Sequence, residues 1–141
     1  MKKILSLLMA LLLILFVLGC SEDEENPVNS NNPTVSGSWK GKATLMGIPV
    51  GYLDATLSQS GSSVSGSTII YGTIVANDTL HCTVSSGNNN YPNVSFTSTA
   101  PAPGGMYSLT YTGTFVNSDS LSGTIKDDAS GVSYPMGIKK Q

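Results

Sequence analysis

The sequence predicts an all-β domain, an antiparallel up-and-down meander of about eight or nine short strands that closes into a small barrel, with a β-sandwich of the same hairpins as the alternative. Three observations predict it. From Thr34 onward no window sets apolar residues at helical spacing, whereas Ser, Thr, Val, Tyr and Ile alternate at period two. The alternating runs are separated by short clusters of Gly, Asn, Asp and Ser, which is hairpin chemistry. Glycines recur two residues after an apolar residue, where a missing Cβ permits the bending that a small closed sheet needs.

In chain order the expected strands are Ser38–Met46, Gly51–Gln59, Ser63–Tyr71, Thr73–Ala76, Thr79–Ser85, Asn93–Thr99, Met106–Val116, Ser120–Asp127 and Val132–Lys139. Ser60-Gly61-Ser62, Asn77-Asp78, Asn117-Ser118-Asp119 and Asp128-Ala129-Ser130-Gly131 are the tight turns. Ser86–Pro92 and Ala100–Gly105 are longer surface connections. Read at period two, one face carries Trp39, Ala43 and Leu45, then Leu53, Ala55 and Leu57, then Val64 and Ile70, then Leu80, Cys82 and Val84. It continues through Val94 and Phe96, through Tyr107, Leu109, Tyr111 and Phe115, through Leu121 and Ile125, and through Val132, Tyr134, Met136 and Ile138. The other face is mainly Ser, Thr, Lys and Asp, as expected of a sheet with one wet side.

Trp39-Lys40-Gly41, Val64-Ser65-Gly66, Tyr111-Thr112-Gly113 and Leu121-Ser122-Gly123 form a weak internal repeat with each glycine on the inward face. With Gly37-Ser38-Trp39-Lys40-Gly41 opening the first strand and a hairpin from Leu57-Ser58-Gln59-Ser60-Gly61 to Val64-Ser65-Gly66, the domain resembles small up-and-down barrels of the lipocalin and avidin kind, including lipocalin-like domains of bacterial lipoproteins. The resemblance implies a barrel that binds a small hydrophobic ligand.

The N-terminus has its own logic. Met1-Lys2-Lys3 is a positive n-region, Ile4 to Leu18 is an apolar run broken only by Ser6, and Gly19-Cys20 ends it. As a helix the run would extend only about 22 Å, short of the ~30 Å hydrocarbon core, so residues 1–19 read as a cleaved signal peptide and not as a permanent span. Val17-Leu18-Gly19-Cys20 resembles the lipobox of bacterial lipoproteins, which implies lipidation of Cys20 and a membrane partner through that anchor. Ser21-Glu22-Asp23-Glu24-Glu25 resembles the acidic signal that sends some lipoproteins to the cell surface. The expected location is therefore the outer membrane, at the cell surface or on the periplasmic face. Residues 20–33 read as a tether of acidic, Asn, Ser and Pro residues, and residues 34–141 as the barrel domain.

Charge and chemistry narrow the function. The formal net charge is −2, and none of the basic residues is an arginine. Without a basic stripe to displace phosphate counterions, a nucleic-acid partner is not expected. With Cys20 lipidated, Cys82 has no disulfide partner. His81 adjoins Cys82, but neighbouring strand residues face opposite ways, so the two do not make a nucleophile and base. Asp127-Asp128 lacks the ligand spacing of a calcium loop, and one histidine with one cysteine does not make a zinc site. No catalytic residue, metal or cofactor is expected. There remain Trp39, Tyr107, Tyr111, Phe115 and Tyr134, all predicted to point inward. They either fill the barrel or line a cavity for an apolar or amphipathic ligand. In the alternative, the protein is a non-enzymatic interaction module that binds protein or glycan through loops such as Gly87–Tyr91, over a filled core.

Overall fold

The computed structural model describes residues 32–141. The expected signal peptide, Cys20 and the expected tether as far as residue 31 lie outside the described residues. Eight strands follow one another: β1 (Gly37–Leu45), β2 (Ile48–Ser60), β3 (Ser63–Gly72), β4 (Asp78–Asn90), β5 (Asn93–Ala102), β6 (Gly105–Asn117), β7 (Ser120–Asp127) and β8 (Ser133–Lys140). Each pairs antiparallel with the next, and β8 pairs back onto β1, with Lys40 opposite Lys139 and Ala43 opposite Met136. The sheet is thus a closed up-and-down barrel and not a sandwich, and no strand is left with an open edge.

The alternation read from the sequence holds along most of the wall. Ala43, Leu53, Ile70 and Tyr111 are fully enclosed, and Trp39, Phe96, Leu109, Leu121, Ile125, Met136 and Ile138 are nearly so. Side chains of this size stabilise a fold by roughly 1.5–3 kcal/mol each when removed from water. Glycine placement makes the packing fit. A Cβ on Gly41 would run into the Ile138 side chain, and one on Gly113 would run into the ring of Tyr111. Tyr111 lies over Gly113 and stacks on Phe96 at a centroid distance of 5.1 Å.

The structure corrects the expected elements in three places. Thr73–Ala76 is not a strand: Thr73–Val75 forms one 3-10 turn, bounded by Gly72 at φ 109° and by left-handed Ala76 and Asn77. Its β-branched residues suit a strand, but the bare backbone of Gly51 leaves a hollow that Ile74 fills, and the turn caps the barrel mouth. Ser86–Pro92 is not a loop. β4 continues to Asn90, pairing Gly87 with Phe96 and Asn89 with Val94, because a bulge between Val84 and Ser86 absorbs one residue and the polar backbone stays in the ladder. Ala100–Gly105 likewise shortens to a turn at Pro103-Gly104. Val132, expected inside, stands outside the last strand and is 46% exposed.

Both described ends of the chain lie at one mouth of the barrel, the near end, where the Gln141 N–H donates to the Ser38 carbonyl at 2.9 Å. Residues 33–36 cross this mouth. Val35 is fully buried and its carbonyl accepts from the Trp39 indole N–H at 2.7 Å. The Gln59 side-chain oxygen accepts from the Val35 N–H, the Thr34 hydroxyl and the Asn89 amide, and Asn89 also donates to the Pro33 carbonyl. The barrel is therefore stoppered by its own N-terminal segment.

At the far end, Asp128 holds the β7–β8 turn against β6. Slight burial pushes its pKa up, but hydrogen bonds from Ser108 and Thr110, followed by the charge of Lys126, outweigh this and leave the carboxyl below the usual range. A depressed folded-state pKa gives stability that is complete above the unfolded-state value of about 3.9 and is lost as pH falls through the folded value. Asp128→Asn is accordingly expected to flatten the acid limb of a plot of urea midpoint against pH. An acid limb of unchanged slope would remove Asp128 from the account.

Candidate functional site

The five aromatics picked out by sequence do not converge on one chamber. β6 carries Tyr107 toward the far end, Tyr111 in the middle and Phe115 toward the near end, so the outer two are about 27 Å apart along the strand. Trp39 lies at the near end beneath Val35, 1% exposed, with the Lys140 ammonium 5.7 Å from its ring centroid. Phe115 is 9% exposed and meets Tyr91 at 5.8 Å. Tyr134, opposite Ile125, is half-buried at the far end.

Tyr107 is also half-buried there and donates from its hydroxyl to the Ile74 carbonyl at 3.3 Å, tying the capping turn to β6. Burial, then the neighbouring Asp127 charge, pushes its pKa up to about 12, so it stays a donor at any physiological pH. Tyr111 is completely enclosed, burial drives its pKa upward, and its hydroxyl has no hydrogen-bond partner.

Polar side chains also reach the interior. The hydroxyls of Thr68 and Ser98 meet at 2.9 Å inside the wall, both 1% exposed. Cys82, opposite Thr68, is a buried free thiol whose pKa is raised by burial against an opposing Thr68 contact, while His81 is exposed on the outside. The two side chains therefore diverge. Asn89 points inward only because the β4 bulge reverses the alternation, and uniform period two places it outside. Asp127 accepts from the Ala129 N–H and the Ser130 hydroxyl, so both carboxylates of the Asp127-Asp128 pair serve the turn. No group of three or more metal-ligating side chains occurs among the described residues.

The outer wall carries two grooves that share Lys40. One, of about 440 Å³, lies over β7, β8 and β1 and is lined by Lys40, Lys42, Lys139, Ser120 and the bare Gly137. The other, of about 230 Å³, continues over β1, β2 and β3 past Ser38, Asp54, Thr56, Ser67 and Ile69. Barrel closure assembles this surface, since Lys40 and Lys139 meet only because β8 pairs with β1.

The geometry defines a small eight-stranded antiparallel β-barrel, consistent with a lipocalin-like barrel, stoppered at one mouth and capped at the other. Neither a protein-family model nor a curated protein sequence matches the chain.

Proposed function

We propose that this protein is an exported, non-enzymatic lipoprotein, held at the outer membrane through Cys20, whose barrel is a packed scaffold presenting its outer surface to a macromolecular partner. The observation that carries the reading is the fate of the aromatics: Trp39, Tyr111 and Phe115 serve as filling, and Tyr107 secures the cap. Barrels of eight strands are just wide enough for side chains to fill them. One observation favours the other reading, a carrier of a small hydrophobic or amphipathic ligand. The Tyr111 hydroxyl is enclosed without a partner, and an orphaned buried polar group calls for a water or a ligand atom.

Solvent extraction of the full chain, purified from expressing membranes, separates the two. A packed scaffold yields only the covalently attached acyl chains. A further apolar molecule recovered in stoichiometric amount, and lost in Tyr111→Phe, would establish the carrier instead. The anchor is tested in the same cells, where Cys20→Ala abolishes acyl incorporation, and persistent acylation of that variant overturns the lipobox assignment.

A further inference from the structure

The basic groove on the outer wall is arranged against the interest of the fold. Lys40 and Lys139 are directly opposed across the β1–β8 ladder on the outward face, an arrangement of like charges that destabilises a sheet. Lys42 follows on the same side, opposite Gly137. Of these three lysines only Lys40 forms an ion pair among the described residues, with Asp54 at 3.8 Å and both side chains exposed. Gly137 has space outside it. A Cβ there would meet nothing closer than the Leu121 carbonyl oxygen at 3.7 Å, and its φ needs no glycine, so its bareness deepens the groove without serving the backbone.

The neighbouring strand adds a second recognition element. Tyr52, opposite Lys42 on β2, is 39% exposed and stacks on Tyr71 of β3 with centroids 5.2 Å apart. Across the wall, ammonium groups thus adjoin an aromatic pair of which Tyr52 is exposed and Tyr71 half-buried, with the hydroxyls of Ser120 and Ser122 along β7. From β7 to β3 the track is roughly 19 Å long, at about 4.8 Å per strand.

We propose that this track binds an acidic oligosaccharide, a linear glycan bearing carboxylate or sulfate groups, with its anions at Lys42 and Lys139 and the apolar face of a sugar ring on Tyr52. The proposal rests on the packed-scaffold reading and supplies its partner. A glycan fits better than an anionic bilayer because the lysines surround a shallow, open depression on the barrel's side, away from the exposed apolar residues. The apolar residues suited to inserting among acyl chains, Leu45, Met46 and Ile48, are instead exposed on the β1–β2 hairpin at the far end.

The test uses the full chain in detergent micelles, with hexagalacturonate as the acidic probe, its methyl ester as the neutral control, a sulfated dextran oligosaccharide as a second anion, and phosphatidylglycerol vesicles. Exposed charge pairs contribute little individually, so Lys42→Gln and Lys139→Gln are each expected to weaken binding of an acidic glycan about two- to fivefold. Rising salt also weakens it. Tyr52→Ala weakens both acidic probes, Gly137→Leu blocks the trough while the circular dichroism spectrum is retained, and Lys126→Gln changes nothing. Equal binding of the methyl ester overturns the proposal. So does failure of both acidic glycans to bind, or vesicle binding that depends on the lysines and not on Tyr52. A ligand recovered from the interior would defeat the packed-scaffold reading separately, because none of these variants alters the core.

Discussion

Trp39→Ala is expected to destabilise the barrel by about 4–8 kcal/mol, much of the stability of an ordinary small domain. Two losses add. Removing an enclosed indole costs roughly 3–5 kcal/mol through lost contacts and the cavity left behind. The Val35 carbonyl, which accepts from the indole N–H at 2.7 Å, loses its partner inside the near-end stopper, a further cost of about 1–3 kcal/mol. Trp39→Phe separates the terms, keeping most of the filling while removing the donor, and is expected to cost about 1–3 kcal/mol. Because Trp39 is the chain's single tryptophan, unfolding must be followed by circular dichroism in urea and not by fluorescence. A Trp39→Ala protein that loses under 1 kcal/mol would mean that the indole faces space, and the packed-scaffold reading would fall with it.

Gly66→Ala is also expected to be strongly destabilising, for a reason in the backbone. Gly66 has φ 141°, a conformation that side-chain-bearing residues rarely adopt, and its missing Cβ would collide with the Thr56 carbonyl oxygen and lie 3.0 Å from the Leu57 Cα. Those atoms belong to the paired strand β2, where Gly66 is opposite Leu57, so relief requires moving a ladder and not a side chain. Strain of about 1–3 kcal/mol and overpacking of similar size give an expected loss of roughly 2–6 kcal/mol. Gly104→Ala is the control. Its φ of 91° imposes backbone strain, but no atom lies within 4 Å of the new Cβ, so it should cost about 1–2 kcal/mol. Equal urea midpoints for the two variants would show that strand contact contributes nothing.

The barrel was legible because its wall obeys period two almost everywhere, and because glycines such as Gly41 and Gly113 sit where large inward neighbours need room. What escaped depends on tertiary context. Thr73-Ile74-Val75 has strand composition, and only the hollow at Gly51 makes it a cap. The run Gly87-Asn88-Asn89-Asn90 has loop composition, yet its backbone pairs with β5 after a bulge that no local signal marks. Asn89 was hidden by that same bulge. Lys40 and Lys139 are close to a hundred residues apart in the chain, so the basic groove appears only once β8 closes on β1. The aromatic candidates were correctly placed on the inner face for the most part, but period two gives a residue's side and not its height along the barrel. The spread from Tyr107 to Phe115 was therefore invisible as a spread.

The hydrogen bond from Gln141 to Ser38 and the β1–β8 ladder make the barrel a ring with no privileged beginning. Each strand has the same two neighbours wherever the covalent chain is cut, so a circular permutant, with Gln141 joined to Pro33 by a short linker and the chain opened at Pro103-Gly104, preserves every pairing. Such a rearrangement would carry a tether attached to the new N-terminus to the opposite mouth. An engineered permutant could thus present the same outer wall upside down relative to its point of attachment without changing a residue of it.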